Sequence, residues 1–285
     1  MLFFAAAMID MPAQWFGHIS EPPYTTFHGI TRMAHRILIT NDDGIHAPGI
    51  ALLEKIARQL SDDVWIVAPE FEQSGKSHSL SLTEPLRVRK VDDKRYALQG
   101  TPTDCVIVAC KQIMKDHPPT LLLSGINRGA NLAEDMTYSG TIAAAIEGVI
   151  RGVRSIAMSQ VFRSGSDVKW STAEMHAPKI LRRLIEMELD PGVFININFP
   201  DVEPNEVGGA VATKVGQRAA FEVLVHERID ARNFPYYWLS FKHDNSNSNK
   251  ETDLHAIARG MISVSPLHFD FTHHATHERL SKLLD

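Results

Sequence analysis

Short apolar runs alternate with stretches of helical periodicity along this chain, and this alternation limits its possible folds more than any other feature. The run Arg36–Thr40 is typical of a buried parallel strand, and apolar residues then recur at helical spacing from Ile50 to Leu60. The same patterns predict strands at Val64–Ala68, Leu86–Val91, Tyr96–Gln99, Leu121–Leu123 and Ser155–Ser159, and helices at Cys105–Lys115 and Thr141–Val149. Strands that alternate with helices predict an α/β fold in which helices cover both faces of a parallel sheet.

The sequence pattern changes after about residue 200. Glu222–Ile229 and Tyr236–Phe241 alternate in the manner of exposed antiparallel strands, and the segment 243–252 is a polar loop. Met261–Val264 predicts one more strand, and the tail from Thr272 predicts a helix. This region therefore differs in kind from the alternating part of the chain.

Residues 1–32 also stand apart, because they show no clear period. Their apolar start lacks the basic residues of a secretion signal, since the first basic residue is Arg32. Met33 precedes the first predicted strand directly, so we expect the native start there and an extension that adds little to the fold, with a short docked segment as the alternative. We divide the chain into the extension 1–32, a core at 33–200 and a C-terminal region at 201–285 that is integrated with the core.

Charge and cysteine content limit the partners and the compartment. Lys and Arg together number 29 against 34 for Asp and Glu, a net charge of −5 that argues against binding a nucleic-acid polymer. No apolar run approaches the roughly 20 residues that cross a membrane. The two cysteines, Cys105 and Cys110, match no zinc motif, and we expect reduced thiols on a buried helix of a cytoplasmic protein.

Polar side chains follow three predicted strands at the point where each strand ends, in the segments Asn41–Asp43, Gln73–Ser77 and Ser124–Asn131. Ligands of an open parallel sheet bind at the carboxyl ends of its strands. In addition, Tyr138–Thr141 opens a helix whose free N–H groups could hold an anion. Paired carboxylates, a hydroxyl and amide oxygens on one edge would suit magnesium or manganese.

Each of these loops also has a purely structural interpretation. Asn41-Asp42-Asp43-Gly44 is a good turn sequence by itself. Ser74–Ser77 resembles the end of a P-loop, but Glu70 stands where that motif requires its first glycine, which argues against a Walker-A nucleoside triphosphatase. The loop then either holds phosphate through its N–H groups and Lys76 or is a polar connection.

The histidines predict no metal site. His273 and His277 are spaced for one face of a helix but lack a third ligand, and with His268 and His274 they are attributed to packing and interfaces. His46 lies just past the acidic turn without an identified partner.

Several motifs follow one another in order along the chain, namely Ile37–Gly49, Val67–Pro69, Gln73–Gly75, Gly100–Cys105, Ser124–Asn127, Gly129–Asn131 and Tyr138–Thr141. Together they resemble the SurE family of stationary-phase survival proteins. The resemblance extends from Arg36 to the segment Ser265–Leu267 and leaves residues 1–32 outside it. It implies a Rossmann-like three-layer α/β/α core with a mainly parallel sheet, a C-terminal β-hairpin arm and a terminal helix. In the family this arm builds homodimers or homotetramers.

The resemblance also implies a metal-dependent phosphatase that acts on nucleoside 5′-monophosphates, with 3′-nucleotides and short polyphosphate as further substrates of some members. It implies one divalent cation per subunit, Mg²⁺ or Mn²⁺, held by Asp42, Asp43, Ser74 and Asn127. It places Asn131, Ser139, Gly140 and Thr141 near the phosphate, and we expect Asp42 and Asn131 to be the catalytic residues. Gly129-Ala130-Asn131 departs from the common Gly-Pro-Asn of the family, a mild change that should leave Asn131 in place.

For the mechanism we expect direct attack by water, with Asp42 managing the proton. A covalent aspartyl-phosphate is the alternative, but its best-known users carry Asp-x-Asp, whereas Asp42 and Asp43 are adjacent. The alternative function is a nucleotide-binding assembly protein without turnover.

Overall fold

Nine strands form the main sheet of this computed structural model, which describes residues 35–244 and 249–284. The strands of this sheet are β1 Arg36–Thr40, β2 Asp63–Pro69, β3 Arg87–Asp92, β4 Arg95–Gln99, β5 Leu121–Arg128, β6 Arg154–Gln160, β7 Val193–Phe199, β8 Ala210–Ala212 and β11 Ile262–His268. Strands β9 Ala220–Ile229 and β10 Pro235–Asp244 form a separate two-stranded sheet. The helices are α1 Pro48–Ala57, α2 Pro102–Val108, α3 Gly140–Ile150, α4 Trp170–Glu186, α5 Asp253–Ala258 and α6 His274–Leu284.

The main sheet is largely parallel, in the order β3-β4-β2-β1-β5-β6-β7-β11-β8. Among the described strands of this sheet, pairing is parallel from β4 through to β7 and between β11 and β8, and it is antiparallel at β3–β4 and β7–β11. In the centre, Thr40 at the end of β1 pairs with Ser124 of β5. This register brings the loops that follow β1 and β5 to one edge of the sheet.

Helices cover the sheet on both faces. Helices α2 and α3 pack together over Leu38 and Leu122, and Cys105 of α2 lies fully buried in that core. Helices α1 and α4 pack together in the second helical layer, and α1 contacts β1 and β5. The predicted α/β fold with a Rossmann-like three-layer core is confirmed.

Most predicted elements agree with the structure, but several differ. Strand β5 continues to Arg128, past its predicted end at Leu123, and the short elements β8 and α5 were not predicted. Helix α2 ends at Val108 and continues to Ile113 as a π-helix, short of the predicted Lys115. Helix α4 and strand β7 were not predicted, because α4 is polar and contains Pro178 while β7 contains two asparagines. Both cysteines are free, with Cys105 buried as expected and Cys110 only partly buried.

The C-terminal region contributes to the main sheet and also extends away from it. Strands β8 and β11 lie in the main sheet, whereas β9 and β10 pair only with each other among the described strands. Helix α6 has no buried residue in its described part. The predicted extension 1–32 and the expected start at Met33 lie outside the described residues. In the part of the chain that is described, no helix is both long and apolar enough to cross a membrane.

Candidate active site at the carboxyl edge of the sheet

The turn after β1 holds two adjacent acids at the edge of the sheet. Asn41 closes this turn by donating its side-chain N–H to the carbonyl of Gly44 at 2.9 Å, and Gly44 has a φ of +98° that favours glycine. Asp42 is buried, with 4% of its surface exposed, and Asp43 is partly buried. The turn interpretation of this sequence is therefore correct, and the same turn presents both carboxylates.

The loop after β2 is tied to this acidic turn. The backbone N–H of Gln73 donates to the carbonyl of Asp42 at 2.8 Å, which places the next residue, Ser74, beside the turn. The Ser74 hydroxyl donates to Glu72 at 2.9 Å. Lys76 is exposed and lines neither of the two cavities described below, so the P-loop-like function of this lysine receives no support.

The carboxyl end of β5, the other strand that pairs with β1, also reaches the acidic turn. The backbone N–H of Arg128 donates to Oδ2 of Asp43 at 3.1 Å. The side-chain amide of Asn127 donates to the carbonyl of Gly129 at 3.0 Å, so its oxygen is the atom with which Asn127 could bind a cation.

Asn131 is held by a buried clamp, which we define as Ser159 of β6 and Asn196 and Asn198 of β7. Asn198 accepts from the backbone N–H of Asn131 at 2.9 Å and donates to its carbonyl at 3.0 Å. Asn196 donates to the same carbonyl at 2.9 Å, and Asn131 donates its side-chain N–H to Ser159 at 2.7 Å. All three clamp residues are fully buried, so they fix the position of Asn131 from inside the sheet.

The N-terminus of α3 packs against Asp42. Ser139 is the N-cap, and its hydroxyl accepts from the backbone N–H of Ile142 at 3.1 Å. A Cβ on Gly140 would lie 2.8 Å from Cβ of Asp42, so this close approach requires glycine. Thr141 donates its hydroxyl to Oδ1 of Asp42 at 2.5 Å. The first turn of α3 is therefore engaged with the carboxylate of Asp42.

Burial sets the ionisation of both acids. It raises the pKa of Asp42, and hydrogen bonds from the Thr141 side chain and from the backbone N–H groups of Gly140 and Thr141 only partly oppose it. Burial and then repulsion by Asp42 raise the pKa of Asp43 to about 6, against the hydrogen bond from Arg128. Ionising both carboxylates side by side is costly, and a divalent cation between them would relieve that cost.

Two cavities meet at these loops. The larger, of about 500 Å³, is lined by five predicted site residues among others, namely Asp42, Ser74, Asn127, Asn131 and Ser139. The smaller, of about 270 Å³, is lined by Asp43, Ser74 and the new residues Glu72 and Arg128. Gly140 and Thr141 line neither cavity, because they face Asp42 instead.

The donor set fits a hard cation. Within the described residues there is no group of three or more His, Cys, Asp or Glu side chains that could hold a metal ion. The predicted set instead joins two carboxylates to the Ser74 hydroxyl and the Asn127 amide oxygen, and oxygen ligands of this kind suit Mg²⁺ or Mn²⁺. His46 is exposed and lines neither cavity.

Sequence reasoning missed several residues around the cavities. Glu72 stands two positions before Ser74 and could have been found from that spacing, and Arg128 directly follows Asn127. Asp135 and Arg218 also line the larger cavity, but Arg218 lies 83 residues from Asp135 in the chain and no local pattern connects them.

Comparison with known proteins identifies the family to which this fold belongs. The model of the family described as survival protein SurE matches residues 37–222 of the chain. The chain is 59% identical over 251 residues to 5′-nucleotidase SurE of Parvibaculum lavamentivorans, which covers 87% of this chain and 91% of that protein. It is 53% identical over 239 residues to 5′-nucleotidase SurE of Methylorubrum populi, and this match covers 83% of this chain and 94% of that protein. The crystal structure of the SurE protein from Aquifex aeolicus matches with a TM-score of 0.75 at 36% identity and covers 87% of this chain and 99% of that one. The resemblance found in the sequence motifs is thereby confirmed, and the chain belongs to the SurE family.

Proposed function

We propose that this protein is a 5′-nucleotidase, which hydrolyses nucleoside 5′-monophosphates to nucleoside and phosphate. Relatives that are 53% to 59% identical over most of the chain carry the name 5′-nucleotidase SurE. The observation that carries the proposal is the buried Asp42, which lines a cavity of about 500 Å³ together with hydroxyl and amide side chains. As further substrates we propose 3′-nucleotides and short polyphosphate, whose phosphoryl groups could use the same donors.

We propose one Mg²⁺ or Mn²⁺ per subunit, held by Asp42, Asp43, Ser74 and Asn127. These residues come from the turn after β1, the loop after β2 and the end of β5, which are tied together by the hydrogen bonds to Asp42 and Asp43. A cation bound there supplies Lewis acidity toward the phosphoryl group.

The protein's own groups position the phosphate and move the proton. Asn131 and Ser139 line the cavity, and we assign them to the phosphoryl oxygens. We assign Gly140 and Thr141 a positioning role instead of direct contact, because their hydrogen bonds go to Asp42. We assign to Asp42 the proton of the attacking water. Burial raises the pKa of its carboxyl above the ordinary value.

Direct attack by water predicts that no phosphorylated enzyme accumulates. Rapid-quench trapping of a phosphorylated Asp42 or Asp43 during turnover would instead establish the covalent aspartyl-phosphate route.

Phosphate release from adenosine 5′-monophosphate tests the proposed function. We expect release with added Mn²⁺ or Mg²⁺ and its loss when a chelator is present. Tight binding of the nucleotide without release of phosphate, under every metal condition, would contradict the proposal and favour a nucleotide-binding assembly protein.

We also propose that subunits associate through the β9–β10 hairpin, as a homodimer or homotetramer, and that the protein is cytoplasmic. The exposed apolar residues of the hairpin support the first proposal, and the two free cysteines support the second.

A further inference from the structure

An aromatic wall, defined as Tyr138, Phe221, Phe241 and His243, joins the hairpin to the candidate active site. The centroids of the Tyr138 and Phe241 rings are 5.4 Å apart, and those of Tyr138 and Phe221 are 5.9 Å apart with nearly parallel planes. Phe221 stacks on His243 at 5.4 Å. Three of the four, namely Tyr138, Phe241 and His243, line the same cavity as Asp42 and Asn131.

The aromatic wall is fixed to the core by a buried arginine. Arg218 has only 3% of its side chain exposed and donates to Asp135 at 2.6 Å and to Glu134 at 3.0 Å. His243 contacts the other oxygen of Asp135 at 3.2 Å, so Asp135 bridges the arginine and the hairpin. The guanidinium of Arg218 also lies over the Phe221 ring at 6.0 Å. The rings are therefore held in place relative to the turn that carries Tyr138.

A phosphate group alone does not explain these rings. Phosphate binding needs N–H and O–H donors, whereas Phe241 has none in its side chain and remains 48% exposed. Tyr138, 41% exposed, has one O–H but also presents the faces of its ring. The lining also contains Phe162, and the guanidinium carbon of Arg128 lies over its ring, 4.8 Å from the ring centroid. The cavity thus combines polar donors with exposed aromatic faces, which suits a ligand with both a phosphate and a planar ring.

We propose that the aromatic wall is the nucleobase subsite of this enzyme, with Phe241 and Tyr138 as the stacking surface. This inference rests on the proposed function and assigns the part of the substrate that the predicted site residues leave unassigned. Aromatic side chains can stack on any of the bases, because every base has a π-face. The subsite therefore selects nucleoside monophosphates over other phosphate monoesters without a strong preference among bases.

A comparison of two substrates that differ only in the base tests the subsite. Adenosine 5′-monophosphate and ribose 5-phosphate share the sugar and the phosphate, so the ratio of their kcat/KM values reports the contribution of the base. We expect Phe241→Ala to lower this ratio roughly tenfold, mainly through the KM for the nucleotide, as loss of one stacking contact would do. Phe241→Tyr keeps the ring and should restore most of the ratio.

Tyr236→Ala provides the matched control. Tyr236 is on the same strand, is 42% exposed and lies outside the aromatic wall and the cavity lining. We expect this variant to keep the wild-type ratio.

The outcomes separate this inference from the proposed function. An unchanged ratio in Phe241→Ala, with both substrates still hydrolysed, would overturn the nucleobase subsite and leave the nucleotidase function standing. Equal losses for both substrates, together with a lower particle mass in light scattering, would overturn it in favour of an interface with a second copy. If the wild-type protein hydrolyses neither substrate in any metal, the proposed function itself fails.

Discussion

Asp42 and Asp43 are neighbours in the chain, but they lie in different surroundings, and we propose different roles for them. Asp42 is enclosed by the first turn of α3, where Thr141 donates to its Oδ1. Asp43 lies in the smaller cavity beside Glu72 and accepts from the backbone of Arg128. A residue that both accepts a proton and holds a cation should be harder to replace than one that only holds the cation.

Replacing each acid by asparagine tests this difference. Asp42→Asn should lower kcat by on the order of 10²-fold or more, because it removes a cation ligand and the proton acceptor together. Asp43→Asn should mainly weaken metal binding, so that excess Mn²⁺ restores part of its activity and restores less in Asp42→Asn. Steady-state kinetics over a Mn²⁺ titration measures both, and wild-type rates in both variants would show that the acidic turn is only structural.

The pKa of Asp43 predicts how its replacement changes stability with pH. Its folded-state value of about 6 lies above the ordinary 3.8, so ionisation of Asp43 opposes folding. The free energy of unfolding of the metal-free protein should therefore fall as pH rises from about 4 to about 6 and stay lower above that range. Asp43→Asn removes this effect and should be more stable than wild type by about 1 to 3 kcal/mol at pH 7.5, with the difference shrinking toward pH 4.

Urea unfolding in the presence of a chelator, at both pH values, measures this difference. Adding Mn²⁺ should reverse its sign, because the cation stabilises only a protein that binds it well. A variant that is less stable than wild type in chelator at pH 7.5 would contradict the prediction.

At the scale of elements, the carboxyl ends of the strands determine the position of the candidate active site. The ends of β1 and β2 were predicted because their apolar runs break into polar residues there, whereas β5 continues to Arg128 past the polar residues that begin at Ser124. Strand β7 was not readable, although its Asn196 and Asn198 hold Asn131. Asparagine is uncommon in strands, so these residues argued against a strand in the sequence. Their role in holding Asn131 follows from the position of β7 in the folded protein.

The two asparagines of β7 make a matched pair of substitutions. Asn198→Ala removes both a donor and the acceptor for the backbone N–H of Asn131, and a buried N–H without a partner costs about 1 to 3 kcal/mol. We expect that loss of stability and a fall in kcat/KM on the order of tenfold or more, because Asn131 is no longer held in position.

Asn196→Ala removes one donor to the Asn131 carbonyl, which keeps its hydrogen bond from Asn198. We expect a smaller loss of both stability and kcat/KM than in Asn198→Ala. Thermal unfolding and nucleotide kinetics on the two variants measure these losses. Equal losses of stability and of kcat/KM in both variants would show that the clamp does not act through the backbone N–H of Asn131.

Contacts between residues that are far apart in the chain could not be predicted from the sequence, unless the order of the strands brings them together. The acidic turn, the loop with Ser74 and the segment with Asn127 all lie at the carboxyl ends of neighbouring strands, so the topology of the sheet alone brings them together. Arg218, Asp135 and His243 meet only because the base of the hairpin folds onto the turn before α3. A pairing of this kind leaves no period or spacing in the sequence.

At the scale of the whole molecule, the hairpin has one apolar face. In its register Val225 pairs with Leu239 and Val223 with Phe241, so these side chains share the face of the aromatic wall. Val225 and Leu239 are 63% and 68% exposed. A two-stranded hairpin is marginally stable in water by itself, and a second subunit would cover this face.

Charged substitutions on that face test the assembly. Val225→Lys combined with Leu239→Lys places two positive charges on the apolar face, and we expect a lower particle mass in light scattering than for wild type, because an interface would have to bury both charges. Ser240→Lys adds a charge to the opposite face of the same strand and should leave the mass unchanged. Deletion of residues 222–241 should reproduce the lower mass. If the double variant and the deletion both keep the wild-type mass, the hairpin does not join subunits, and its apolar face must be covered in another way.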